Sequence, residues 1–264
     1  MAWRRLQRCS AGVERGPVRN RRHQLPRSEA SRFGRVERGI VYVELQHARA
    51  TNVSSCRCEC YESQFDDKHA AKDLKRYRRR GPDKTTRLLL DGLKMQGVQG
   101  ASLLDIGGGV GVVHHELLAA GAQAAVHVDA TASNIRAAEE EATHRGHAGR
   151  VTFLHGDFVA LAPEIPLADV VTLDRVICCY PDMEQLVAAS ASHARHLYGA
   201  VFPRERWFLE IFLALGNLVR RMRGNAFRTY VHPIRAIDAA LQRQGLTASY
   251  VHDTFVWRVS VYSR

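Results

Sequence analysis

A glycine-rich turn between a short apolar run and a helix-like run constrains this chain more than any other feature. It reads Leu103-Leu104-Asp105-Ile106-Gly107-Gly108-Gly109-Val110-Gly111. A buried strand that ends in such a turn and passes into a helix leaves backbone open to close approach by a ligand. The alternation continues downstream. Apolar runs at 102–106, 125–129, 151–155, 169–173 and 196–202 read as strands, and 111–120, 133–145 and 181–195 read as helices between them. Repeated β-α units of this kind predict an α/β fold, with a mostly parallel sheet covered by helices on both faces. Two β-rich runs close the chain, 248–252 and 255–262, joined so tightly that they must be antiparallel neighbours.

The turn does not fit a dinucleotide site. A Gly-x-Gly-x-x-Gly register starting at Gly107 requires a small residue where Val112 stands, and one starting at Gly109 requires it at His114. An acid, Asp105, precedes the first glycine by two residues. Asp129 closes the second strand, 24 residues after Asp105, where a carboxylate accepts hydrogen bonds from ribose hydroxyls. The third strand ends in His155-Gly156-Asp157-Phe158.

Taken in order at successive strand ends, these residues resemble class I S-adenosylmethionine (SAM)-dependent methyltransferases, from about residue 61 to the C-terminus. The resemblance implies a Rossmann-like seven-stranded methyltransferase sheet with an antiparallel C-terminal strand. It also implies SAM as cofactor, held by Asp105, Gly107, Gly108, Gly109, Gly111, Asp129 and its neighbour Ala130. Asp157 would bind the adenine amine and Phe158 would pack on the ring. Within the superfamily the chain is most similar to the magnesium-protoporphyrin O-methyltransferase group. Asp174-Arg175-Val176-Ile177-Cys178-Cys179-Tyr180 after strand four carries that likeness, with Phe202-Pro203-Arg204 leading into a helical insertion at about 204–230. The segment after strand four then lies beside the transferred methyl group. Asp174, Arg175 and Tyr180 are the expected catalytic contacts, Arg175 pairing a carboxylate acceptor, and Asp174 also touches the cofactor. Tyr77, on a charged helix at 70–80, is expected to reach the carboxylate end of SAM. The alternatives are a cap for Asp174, a solvent-facing Arg175 and a solvated charged helix.

The net charge of +11 invites a nucleic-acid reading, so its location matters. Residues 1–60 carry 13 Arg against five acids, and residues 61–100 carry ten basic side chains against six. The rest has 15 basic against 16 acidic. The domain bearing the glycine turn therefore lacks the positive rim that neutralises phosphates, which argues against a nucleic-acid substrate and for a small-molecule acceptor. Residues 1–55, Arg-rich and without periodicity, are expected to be a disordered extension. Residues 56–100 are expected to form a helical arm and 101–264 the catalytic domain. No apolar run is long enough for a membrane span, and a cytoplasmic location is the expectation.

Six cysteines stand at Cys9, at Cys56, Cys58 and Cys60, and at Cys178 and Cys179. This is no disulfide framework, and the Cys-x-Cys-x-Cys cluster lacks a second ligand pair, so no metal site is assigned. Cys178 and Cys179 read as inert buried thiols, and His114 and His115 as packing or surface residues with one able to face the pocket. The run 204–223 has a broad apolar face that suits a substrate lid, core packing or peripheral contact with a membrane surface. Two further functions stay open: an RNA or protein methyltransferase recruiting through the basic arm, and a SAM-binding protein without catalysis.

Overall fold

The computed structural model describes residues 61–264. The expectation for 1–55 and the Cys56, Cys58 and Cys60 cluster lie outside the described residues. After a helical turn at 61–64 come two helices, α1 (Asp67–Arg80) and α2 (Lys84–Gln96). Asp66 caps α1 by accepting from the His69 amide. Asp83 caps α2 by accepting from the amides of Thr85 and Thr86, as its position before an apolar-periodic run predicts.

The alternating part runs β1 (Ser102–Ile106), α3 (Val112–Ala119), β2 (Ala124–Asp129), α4 (Ala132–His144), β3 (Val151–His155), the single turn α5 (Phe158–Leu161), β4 (Ala168–Asp174), α6 (Met183–Ser192) and β5 (Ala194–Pro203). An excursion follows through α7 (Trp207–Met222) and α8 (Ile234–Arg243), and the chain ends in β6 (Thr247–Asp253) and β7 (Trp257–Ser263). The seven strands lie in the order β3-β2-β1-β4-β5-β7-β6. The first five are parallel, β7 runs antiparallel beside β5, and β6 antiparallel beside β7. The chain leaves β1 in one direction along the sheet and β4 in the other. The crevice beyond the carboxyl ends of β1 and β4 is therefore the switch point at which ligands bind in such sheets.

The central strands bury both faces, whereas the edge strand β6 is exposed. Leu104 packs with Val128, Val171, Leu186 and Ile237 on one side, and Leu103 with Val113, Leu117, Ala125 and Val170 on the other. Each fully buried Leu contributes about 1.5–3 kcal/mol. α2 belongs to this second core. Leu89 and Leu93 are fully buried, and a Cβ on Gly199 of β5 would lie 2.8 Å from Leu89 Cδ1, so the glycine sets how closely α2 approaches.

Two boundaries differ from the sequence pattern. The helix expected at 181–195 ends at Ser192, and β5 begins at Ala194 rather than 196. The reason is His193, whose ring bridges Ala189 O and Ala162 O at 2.7 and 3.0 Å and ends the helix without a glycine. Phe255 belongs to the turn between β6 and β7 and not to a strand.

Candidate functional site

The glycine turn crosses the end of β1 with positive φ at Gly107 (60°), Gly109 (57°) and Gly111 (84°), values that side-chain-bearing residues rarely adopt. Its shape is held by its own backbone. Gly107 N–H donates to Val128 O at 2.7 Å, and Gly111 N–H to Gly108 O at 2.9 Å. Gly109 N–H donates to Asp129 Oδ2 at 3.0 Å. Asp129 ends β2 almost fully buried, and its other oxygen accepts from the amide and hydroxyl of Thr131. A Cβ on Gly109 would meet nothing within 4 Å. That absent side chain leaves the cradle open toward the crevice, where a cofactor of the SAM type fits.

Beneath the turn lies a buried polar layer. Asp105, His127 and Thr172 are register partners on β1, β2 and β4. Thr172 Oγ1 donates to Asp105 Oδ1 at 2.8 Å, and His114 Nδ1 sits 2.9 Å from Asp105 Oδ2. A carboxylate only accepts, so Nδ1 carries the proton. Asp105, His114, His115 and His127 are all fully buried. The cofactor contact expected of Asp105 is thus corrected: its carboxylate holds the turn from below and lines no cavity at the crevice. Gly111 likewise packs on the histidines, where a Cβ would come within 2.5 Å of His114 Cε1. Gly108 covers Asp105, with a Cβ position 2.4 Å from Oδ2, and faces only a lesser cavity. His114 and His115 pack inside and leave the crevice to others, and Asp105, His114 and His127 bring ligand-type atoms within 4.8 Å of one another.

The crevice holds a cavity of about 480 Å³, lined by Gly107, Gly109, Asp129, Ala130, Asp157, Phe158, Asp174, Arg175 and Tyr180 among others. Asp157 caps α5 by accepting from Val159 N at 3.1 Å, and Tyr180 Oη donates to the same carboxylate at 3.2 Å. Asp174 is buried, and Thr86 Oγ1 donates to its Oδ2 at 2.6 Å. Burial pushes the Asp174 carboxyl up, against the pull of Arg175. Arg175 has φ 63°, a strained value for a long side chain. Its guanidinium lies 2.7 Å from Asp83 Oδ2 and 3.0 Å from Asp174 Oδ1. Although burial raises the Asp83 carboxyl, the Arg175 charge and backbone donors outweigh it and bring it down to about 2. Arg175 is therefore neither solvent-facing nor free for an acceptor carboxylate; it ties the start of α2 to the end of β4.

Tyr77 also differs from expectation. It is buried, its hydroxyl donates to Glu116 Oε1 at 2.7 Å, and Arg145 lies over its ring at 4.5 Å. Burial and Glu116 push its hydroxyl well above the usual tyrosine range. Tyr77 borders the lesser cavity beside Gly107 and Gly109 and does not line the larger one. The Cys178 and Cys179 thiols lie 3.7 Å apart. Its hydrogen bond to Cys179 and its burial raise the Cys178 thiol, as befits an unreactive group.

The structure adds Arg220 to the cavity wall, together with Tyr61, Phe65, Phe227 and Thr229. Arg220 donates to Asn217 Oδ1 and Thr229 Oγ1 at 3.3 and 3.4 Å, and lies 5.4 Å above the Phe227 ring. Among the described residues no carboxylate pairs with it. Its position in an arginine-bearing apolar run gave no sign of this, because only the path of α7 turns it inward.

Residues 103–198 match the family model described as methyltransferase domain. That segment is thus a methyltransferase domain, and the sheet order gives the chain the class I methyltransferase fold. Among solved structures it is similar to magnesium protoporphyrin IX methyltransferase (ChlM) from Synechocystis PCC 6803 with bound SAH, at 18% identity and a TM-score of 0.61 over 79% of this chain and 99% of that one. An O-methyltransferase family protein from Burkholderia thailandensis gives 16% identity and a TM-score of 0.55 over 82% of this chain and 74% of that one. An O-methyltransferase family 2 protein from Planctomyces limnophilus DSM 3776, in complex with apigenin, gives the same identity and TM-score over 82% and 66%. At these identities the likeness concerns the fold. No curated protein matches the chain.

Proposed function

We propose that the chain methylates a small-molecule acceptor carrying an anionic group, with a porphyrin-type carboxylate oxygen as the specific form put to the test. The observation that carries this reading is one continuous cavity lined both by the Asp129 carboxylate and by the Arg220 guanidinium, which among the described residues pairs with no carboxylate and stands among aromatic rings. SAM supplies an electrophilic methyl group on a sulfonium. Asp129 accepts from the ribose hydroxyls, while Gly107 and Gly109 let the backbone come close. Asp157 accepts from the adenine amine, and Phe158 packs on the ring. Arg220 pairs with an acceptor carboxylate, and Phe65 and Phe227 cover its apolar body. Asp174 and Arg175 brace the floor below the reacting atoms. Tyr180 keeps Asp157 oriented. In an in-line displacement a carboxylate oxygen attacks the methyl carbon as the carbon–sulfur pair returns to sulfur. No proton is removed, so the site needs alignment and dryness more than a base.

The test is methyl transfer from SAM to a dicarboxylic porphyrin, read by mass, beside the fully esterified porphyrin as control. Product from the free acid alone supports the reading. SAM binding by calorimetry without any methylated porphyrin would remove the acceptor assignment, and absence of SAM binding would remove the cofactor assignment as well.

A further inference from the structure

The solvent face of α7 is apolar along its whole length. Trp207, Ile211, Phe212, Leu215, Leu218 and Met222 follow the helical repeat, and the two rings and Met222 are each more than 70% exposed. A 16-residue helix extends about 24 Å, so this is a continuous stripe and not scattered surface residues. Phe255, in the β6–β7 turn, lengthens it by stacking on Phe208 with centroids 5.2 Å apart. The stripe does not line the acceptor cavity. From α7 only Arg220 reaches that cavity, on the opposite face that packs through Leu209 and through Asn217 to Thr229 O.

Charge decides what covers the stripe. Arg206 stands exposed at its start beside the exposed Glu205, Arg221 and Arg223 stand exposed at its end, and Glu210, in the first turn, is the single acid within the helix. Two copies joined through this face with their helices parallel would bring Arg221 and Arg223 against their own counterparts. The helical turn at 61–64 packs at the same end. Tyr61 and Phe65 lie edge-on to Phe227 at 5.9 and 5.5 Å, and Asn225 reaches Gln64. In sequence, 60 residues with 13 Arg against five Glu precede Tyr61. An apolar stripe flanked by arginines matches the acyl boundary and headgroups of an anionic lipid layer. Among the described residues no helix is long and apolar enough to cross a membrane, so contact is with the surface.

We propose that α7 docks the protein on an anionic lipid surface, with Trp207, Phe212 and Leu215 entering the acyl boundary and Arg206, Arg221 and Arg223 meeting the headgroups. The inference stands apart from the identity of the acceptor.

Full-length protein is floated with vesicles of phosphatidylcholine alone and of equimolar phosphatidylcholine and phosphatidylglycerol, while calorimetry records SAM affinity. Binding at least tenfold tighter to the anionic vesicles is expected, weakening with salt. The double variant Phe212→Glu/Leu215→Glu should lose at least tenfold of it, with SAM affinity unchanged. The tryptophan emission of the parent should shift blue on binding, and Trp207→Phe should remove most of that shift. Three results would overturn the proposal: no binding to either vesicle, anionic binding that survives the double variant (the N-terminal segment alone being responsible), or a vesicle-free dimer that the double variant dissociates.

Discussion

His114 holds the carboxylate of Asp105 from directly beneath the glycine turn, Nδ1 to Oδ2 at 2.9 Å, with both side chains excluded from solvent. Burial brings the His114 imidazole down to about 4 from 6.5, against the pull of Asp105, and His115, buried beside it, down to about 2. The pair at neutral pH is therefore a carboxylate and a neutral imidazole. Each histidine binds its proton in the unfolded chain at a higher pH than in the folded one. Their stabilisation is complete above pH 6.5 and is lost as pH falls toward the folded value. For His114 the loss is on the order of 3 kcal/mol between pH 6.5 and 4. Thermal unfolding across this range should show Tm falling with pH, and His114→Gln should flatten the fall. An unchanged slope in the variant would show that the imidazole is not buried neutral.

Adjacent glycines of the turn should fail in different ways. Gly108→Ala places a methyl 2.4 Å from Asp105 Oδ2 and 2.7 Å from His127 Nδ1, an overpacking that costs about 1–3 kcal/mol. Its Tm should fall by several degrees. Gly109→Ala clashes with nothing; it carries the left-handed strain of about 1–2 kcal/mol and pushes its methyl into the crevice. SAM affinity should fall at least tenfold beyond what the lowered stability explains. Calorimetry on both variants checks this, and normal SAM binding by Gly109→Ala would remove the glycine from the cofactor cradle.

Asp129→Ala removes the acceptor proposed for the ribose and frees the Gly109 amide. A charged hydrogen bond contributes about 1.5–3 kcal/mol, so SAM should bind roughly ten- to a hundredfold more weakly. Asp129→Asn, which keeps one acceptor oxygen, should lie between. Equal affinity in all three proteins would place the ribose elsewhere.

The order of strands and helices was legible because strand ends here carry local signals: Gly107, Gly109 and Gly111 after β1, Asp129 after β2, Asp157 after β3. Which way a side chain points from such an end was not. Asp105 has the sequence position of a cofactor contact, yet strand alternation turns it down onto His127 and Thr172, partners from strands that only the folded sheet brings alongside. Arg175 was misread for a related reason: its partner Asp83 lies 92 residues away, at a helix cap whose own role was visible. Arg220 escaped notice because its inward turn depends on the whole path of α7.

Arg175→Met tests the brace between α2 and β4. The substitution keeps much of the packing but leaves Asp83 and Asp174 facing each other without a cation. The pair is half-buried, so the cost should fall between exposed and fully buried ion pairs, about 2–3 kcal/mol. Chemical denaturation should show the lower midpoint with an unchanged slope. Asp174→Asn in the same background should restore part of the loss, since it removes one of the two uncompensated charges. A double variant no more stable than Arg175→Met would mean that Asp174 is already protonated there.

Arg220, the proposed acceptor contact, allows acceptor binding to be tested apart from cofactor binding within the cavity. Its guanidinium is held by Asn217, Thr229 and the Phe227 ring, so it is placed before any acceptor arrives. Removing it should therefore cost binding without disturbing the glycine turn. Arg220→Ala is expected to raise KM for a carboxylate acceptor about ten- to a hundredfold, the range for a charge-assisted pair, with SAM affinity unchanged. Arg220→Lys should recover only part of this, because a point charge lacks the planar fork that meets both carboxylate oxygens. Measured with a neutral ester of the same acceptor body, all three proteins should bind equally. A fall in kcat at unchanged KM would instead put Arg220 on the reacting atoms, and a loss of SAM affinity would put it on the cofactor.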